Sequence, residues 1–244
     1  KIALEYTKTF GGRVISFCQD EFLSENGVIN ESIVSTELGL KGIPDISESI
    51  NIYRDIQILN YTNGKLHIPY VNTKMGVELI RDAKKRNLDI TASTSLAHLI
   101  FSDKDIKDFN TNLKINPPLR SEIDCKAVKE GLIDGTIDYL TSMHEPLDID
   151  NKKVVFDIAS PGSIGLESVF GNMCNNFTLE KTIDILTRHK SIFEIEDHPI
   201  EKGSPADLTL FNPDKSYEFS NKHILSTSKN CAYLGSKLKG IVYG

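Results

Sequence analysis

The side chains able to do chemistry in this chain are few and scattered. His67, His98 and His144 lie beside strand or turn signals, and Cys18 and Asp20 sit two residues apart next to Phe17. Thiolate, carboxylate and imidazole are the donors that zinc takes, at about 2.0–2.3 Å. Cys18 with Asp20, or His144, could therefore offer a metal site or a proton-transfer group. Each also has a structural reading. His67 precedes Tyr70 by three residues, so on a strand it points to the opposite face and fits a hydrogen-bonded structural histidine. His98 reads the same way. His189, His198 and His223 fall at helix ends or in loops, with spacings that match no metal motif, and read as solvated. The sequence holds no Gly-x-Ser-x-Gly, P-loop or Gly-x-Gly-x-x-Gly motif.

An alternation of strand-like and helix-like segments carries these residues. Strands are predicted over 13–17, 65–71, 88–94 and 137–141. Helices are predicted over 44–59, 73–85, 121–131, 164–170 and 179–189. In the first of these helices Ile46, Ile50, Tyr53 and Ile56 recur at three to four residues. Asn63-Gly64 reads as a turn before its strand, and Ser121 as an N-cap with Asp124 three residues on. Residues 1–10 read as the tail of a helix, with Ile2, Leu4, Tyr6 and Phe10 as candidate core contacts and Gly11-Gly12 as its stop.

Strands alternating with helices imply a parallel sheet. About four such units precede residue 190, half the eight of a closed (β/α)8 barrel. The expected fold is thus α/β, a partial TIM-type barrel that is the C-terminal half. With no Met at position 1, the chain is expected to be the C-terminal part of a longer one. Residues 1–200 are assigned to the barrel. Residues 201–244, with a strand after the turn at 202–206 and another over 239–243, are assigned to a small β-rich flanking domain.

Composition narrows the function. The net charge of −6 disfavours nucleic acid, which needs clustered Lys and Arg. The longest basic cluster, Lys84-Lys85-Arg86, fits a favourable charge at a helix C-terminus. No apolar run approaches the roughly 18 residues of a membrane span, and no signal peptide is present. Cys18, Cys125, Cys174 and Cys231 are isolated thiols, which suits a reducing cytoplasm.

Motifs narrow it further. Lys114-Ile115-Asn116-Pro117-Pro118-Leu119-Arg120, followed by Asp134-Gly135-Thr136-Ile137-Asp138, resembles the core signature of dihydroorotases, members of the metal-dependent amidohydrolase superfamily. The stretches Val28-Ile29-Asn30-Glu31 and Ser35-Thr36-Glu37-Leu38-Gly39-Leu40-Lys41-Gly42-Ile43-Pro44 are similar to the family's sequence after its fifth strand. Leu66-His67-Ile68-Pro69-Tyr70-Val71-Asn72-Thr73, Leu96-Ala97-His98-Leu99 and Gly162-Ser163-Ile164-Gly165-Leu166-Glu167 resemble further family strings, in the family's order. The resemblance implies reversible ring closure of carbamoyl aspartate to dihydroorotate. In that reaction binuclear zinc polarises the carbonyl and an aspartate shuttles the proton.

The same resemblance places the family's ligands on unsuitable residues. Its first visible histidine falls on Phe17, which has no lone pair. Its second falls on Tyr70, which could ligate only as phenolate, far from its ordinary pKa of about 10. Its ligand and proton-shuttle aspartate falls on Met143, beside His144. Its substrate-contacting histidine falls on Leu147. The replacements are bulky and mostly apolar, as if filling a vacated cavity. The remaining ligands, a His-x-His pair and a bridging group, would lie before Lys1. Three substrate-binding positions persist: Asn116, Pro161 and Gly162. The proline pair beside Asn116 also reads simply as a device for holding a tight loop.

The expectation is a cytoplasmic dihydroorotase-like protein without zinc, cofactor or catalytic residue. It would act structurally, as a homodimer or beside aspartate transcarbamoylase, and would bind neither nucleic acid nor membrane. The alternatives are an active cyclic-amide hydrolase with metal ligands before Lys1, and a metal-free ligand-binding module around Asn116 and Gly162.

Overall fold

The computed structural model describes residues 1–196 and 198–244. A short helix, α1 (Ile2–Thr7), leads to strand β1 (Val14–Ile15). An excursion follows, made of α2 (Glu21–Ser24), β2 (Ile29–Asn30), α3 (Ile33–Leu38) and β3 (Gly42–Ile43). The long helix α4 (Ile46–Thr62) then feeds β4 (Leu66–Ile68), and α5 (Lys74–Lys85) feeds β5 (Ile90–Ser95). After α6 (Leu96–Ile100) and a long loop, α7 (Glu122–Asp134) feeds β6 (Tyr139–Thr141). Helices α8 (Val169–Asn176) and α9 (Leu179–Thr187) precede a pair of strands, β7 (Phe211–Glu218) and β8 (Lys237–Val242).

Among the described residues, the main sheet has four strands in the order β1-β4-β5-β6. Neighbours are parallel, with Val14 opposite Leu66, Leu66 opposite Ile90, and Ser93 opposite Tyr139. Parallel neighbours need crossover connections, and α4, α5 and α7 supply them. Leu66, Ile68, Ile90 and Ala92 share one apolar cluster with Ile52, Ile56 and Leu59 of α4, Val77 and Ile80 of α5, and Val128 and Leu132 of α7. The alternating α/β architecture expected from the sequence is therefore present. The antiparallel pair β7–β8 lies against α8. Their approach is close at Gly171, where an added Cβ would come within 2.9 Å of Leu238. Among the described residues no helix is long and apolar enough to cross a membrane.

Two expectations are corrected. In α4 the stripe Ile46, Ile50 and Tyr53 faces solvent, 43–56% exposed, while Ile52, Ile56 and Leu59 are buried. Apolar residues occupy two faces of this helix, and the inner face also carries the polar residues Ser47, Glu48, Asn51 and Asp55, all buried. Glu48 and Asp55 serve the strand ends, accepting from Asn72 and Thr73 and from Ser16, so the inner face is partly polar. In α1, Leu4 alone is buried; Ile2, Tyr6 and Phe10 are 65–80% exposed. Leu4 sits on the stripe that meets α4 and β1, and the other three lie off it.

Arg120 ties these layers together. It is 1% exposed. Its Nε donates to Asn72 Oδ1 at 2.9 Å, and its Nη1 donates to Asn30 Oδ1 at 2.9 Å and to the Ile43 carbonyl at 2.7 Å. Asn30 in turn donates to Asp103 at 2.8 Å. Glu48, also buried, accepts from the backbone N–H groups of Asn72 and Thr73 and from the Thr73 hydroxyl. Burial lifts the Glu48 carboxyl to about 7, against the pull of Arg120 and of these donors. Removing one member of such a buried polar group strands the others. Arg120→Met is expected to cost about 3–5 kcal/mol in urea unfolding. Arg120→Lys is expected to recover little, since one ammonium cannot reproduce the planar fork.

Candidate functional site

Parallel sheets present their loops for chemistry at the carboxyl ends of the strands. Phe17 follows β1, Tyr70 follows β4, Ser95 ends β5 with His98 just beyond it, and Met143 follows β6. The structure thus brings the three suspect ligand positions to one end of the sheet. The Phe17 and Tyr70 rings meet edge to face, with centroids 6.4 Å apart. Tyr70 packs against the apolar cluster that holds Met143 together with Ile29, Ala97, Ile115 and Leu119.

The three replacements differ in depth. Met143 is 5% exposed, Tyr70 is half-buried, and Phe17 is 45% exposed. The cavity-filling expectation therefore holds for Met143, in part for Tyr70, and not for Phe17. Tyr70 and Met143 also have left-handed backbones, with φ of +57° and +47°. Such a conformation costs a side-chain-bearing residue about 1–2 kcal/mol. It persists where surrounding structure imposes it, a common property of functional loops.

The other candidate donors are engaged elsewhere. Cys18 is buried, and its thiol approaches the Ser16 carbonyl at 3.6 Å and Asp55 Oδ2 at 3.7 Å. Burial first, and Asp55 next, push that thiol far above its ordinary range. Asp20 caps α2, accepting from Phe22 and Leu23 N–H at 3.1 and 3.0 Å. His144 Nδ1 accepts from the Leu166 N–H at 3.2 Å and lies 3.9 Å from Glu167 Oε2. Among the described residues, no three His, Cys, Asp or Glu side chains are grouped to hold a metal.

His67 and His98 are structural. The His67 ring nitrogens lie 2.9 Å from Thr91 Oγ1 and 3.1 Å from Ser93 Oγ, with Tyr139 stacked on the ring. His98 Nε2 is 3.0 Å from the Pro117 carbonyl and so carries the proton, which leaves Nδ1 to accept from Ser95 Oγ at 2.8 Å. Burial lowers both histidines to about 4. The reading of His189 and His223 as solvated is corrected. His189 is half-buried beside Tyr139, with centroids 5.7 Å apart, and His223 packs on Tyr217 and Phe219 while its Nδ1 accepts from Ser220 N–H. His198 is exposed.

The retained binding positions lie on adjoining loops. Gly162 donates its N–H to the Lys114 carbonyl at 2.8 Å, two residues before Asn116. Its φ of +139° is open to glycine, and an added Cβ would meet Glu145 and Leu147 at 2.9–3.1 Å. Asn116 and Pro161 are exposed. Buried Asn230 stitches the loops: it donates to the Glu145 carbonyl at 2.9 Å and accepts from Leu147 N–H at 3.2 Å. Sequence reasoning missed Asn230, which no motif marks. It also missed the role of Arg120, which it read only as the end of the run Ile115-Asn116-Pro117-Pro118-Leu119.

Comparison with known proteins finds curated relatives. The dihydroorotase of Endomicrobium trichonymphae is 42% identical over 245 residues, covering 97% of this chain and 58% of that protein. The dihydroorotase of Acetivibrio thermocellus is 39% identical over 250 residues, covering 100% of this chain and 59% of that protein. Nearly the whole of this chain is thus similar to proteins named dihydroorotase. It spans less than two thirds of the length of these relatives. No family model matches it. Among solved structures, L-hydantoinase (dihydropyrimidinase) from Arthrobacter aurescens superposes with a TM-score of 0.83 at 19% identity, over 98% of this chain and 56% of that one. A Saccharomyces cerevisiae dihydroorotase in complex with 5-fluoroorotic acid gives 0.67 at 15% identity, over 81% of this chain and 56% of that one. These establish the fold as about half of a TIM-type barrel protein.

Zinc does not fit the dihydroorotase ligand positions visible in this chain. Phe17 offers no donor. Burial, with Glu145 nearby, moves the Tyr70 phenol further up from its ordinary value, away from the phenolate that ligation needs. The Met143 thioether is enclosed by carbon. Met143→Asp is expected to cost about 4 kcal/mol in urea unfolding, because a carboxylate enters an apolar cluster. Phe17→His is expected to stay within about 1 kcal/mol, because that ring is half in solvent.

The buried histidines set an acid limit. Their folded pKa lies below the unfolded value near 6.5, so between pH 6.5 and about 4 the unfolded chain binds more protons. Stability is then full above pH 6.5 and falls as pH drops through that window, by about 3 kcal/mol per histidine. Glu48, raised to about 7, acts with the opposite sign. The difference between the parent and His98→Gln isolates His98. The variant, which can still donate to Pro117, is expected to show a shallower loss of urea midpoint from pH 6.5 to 4.

Proposed function

We propose that this chain is a dihydroorotase homologue of pyrimidine biosynthesis that lacks zinc and catalysis and serves as a structural or partner subunit. One observation carries the reading: Phe17, Tyr70 and Met143 stand together at the carboxyl end of the sheet, where the family's ligands are implied, and none is a competent donor there. The loop supports it. Asn116, Pro161 and Gly162 keep the family's substrate-facing sequence, while Leu147 replaces the substrate-contacting histidine and Gly162 is braced on Lys114. On this reading the chain is cytoplasmic and pairs with a second copy or with aspartate transcarbamoylase. Residues 1–200 are its barrel portion, and 201–244 belong to the small β domain.

Metal content and turnover of the purified full-length protein test the proposal together. Zinc well below one ion per chain, with no hydrolysis of dihydroorotate and no cyclisation of carbamoyl aspartate, is the expected result. Stoichiometric zinc with turnover overturns it and establishes the alternative, an active cyclic-amide hydrolase with ligands preceding Lys1.

A further inference from the structure

Two neighbouring lysines bury their charge without a counterion. Lys114 is 7% exposed and Lys152 6%. Lys114 Nζ donates to the carbonyls of Phe156 and Asp157, both at 2.8 Å, and lies 5.5 Å from the centre of the Phe156 ring. Lys152 Nζ donates to the Ser160 carbonyl at 2.9 Å and reaches the Lys114 carbonyl at 3.5 Å. Among the described residues, no carboxylate oxygen lies within 4.0 Å of either ammonium. Removing an ammonium from water costs several kcal/mol unless an anion offsets it. The strain shows in Lys152, which burial, and then Lys114, lowers to about 8 despite the pull of Glu145.

Lys152 lines a cleft of about 480 Å³ between residues 111–112, 147–153 and 227–230. Lys153 and Lys229 line the same cleft, with the hydroxyls of Thr227 and Ser228, and Asp148 is the acid facing them. Lys153 has no side-chain partner among the described residues. Lys229 spends two donors on the carbonyls of Ile224 and Ser226 and keeps a third. In a chain of net charge −6 this is a local excess of positive charge. Its volume falls within the range that encloses metabolites, about 300–1,000 Å³. Lysine serves phosphate as a point charge, and hydroxyls complete the oxygens' hydrogen bonds.

We propose that this cleft binds a small phosphate-bearing molecule, with Lys152, Lys153 and Lys229 as its countercharges and Thr227 and Ser228 as neutral donors. Phe17, Tyr70 and Met143 do not line it, so the site needs no zinc; Leu147 and Asn230 do, so the cleft adjoins the loops discussed above.

Thermal unfolding of the full chain tests it, in 10 mM inorganic phosphate or 10 mM succinate against chloride of equal ionic strength. At this concentration bulk salting effects are small. Phosphate is expected to raise the melting temperature by about 3 °C. Lys153→Ala should melt as the parent does without phosphate and lose at least half of the rise. Lys152→Met should melt no lower than the parent without phosphate, because an unpaired buried charge is gone, and should lose the rise entirely. If Lys152→Met fails to fold, Lys153→Ala decides. No rise with phosphate, an equal rise in parent and Lys153→Ala, or a succinate rise that matches that of phosphate overturns the proposal.

Discussion

A guanidinium sealed from water must find its hydrogen-bond acceptors inside the protein, and Arg120 finds them on three separate segments. Asn30 belongs to β2, Ile43 to β3, and Asn72 to the loop after β4. These bonds join the β2–β3 excursion to the loop after β4. His98 holds the Pro117 carbonyl three residues before Arg120. Glu48 occupies the same buried region and orders the backbone of Asn72 and Thr73 at the start of α5. The loop after β4, which carries Tyr70, and the loop after β5, which carries Asn116, therefore share one polar scaffold. That scaffold needs no metal. It holds together the strand ends that carry Phe17, Tyr70 and Met143.

The regular part of the fold is legible in the sequence because it rests on period and punctuation. In α5, Val77, Ile80 and Ala83 recur at helical spacing, Thr73 caps the first turn and Lys84 and Lys85 close the last. The matching strand–helix units predict the parallel sheet. The β2–β3 excursion is not legible, since two-residue strands have no period to read. In α4 the pattern misleads, because its buried face mixes Glu48, Asn51 and Asp55 with the packing carbon of Ile52, Ile56 and Leu59. Arg120 illustrates a deeper limit. Its partners lie 48, 77 and 90 residues away, and no local signal names them. At the candidate site, family motifs located Phe17, Tyr70 and Met143 correctly at one end of the sheet. Their depths were not legible, because burial depends on which neighbours converge from other segments.

The structure separates two things that a motif runs together. The backbone at Tyr70 and Met143 is left-handed, a conformation imposed by the surrounding loops. The side chains there are not those the family motif implies. Loop geometry is set by distributed contacts such as Asn230 and Gly162, whereas ligand identity resides in single residues. The first is hard to lose by one substitution, and the second is easy.

The unequal depth of Phe17, Tyr70 and Met143 also grades their tolerance of change. A histidine at position 17 would meet mostly solvent. An aspartate at position 143 would enter the cluster around Ile29 and Leu119. The outer position can therefore be exchanged alone, while the enclosed one admits a charge only if its neighbours change with it.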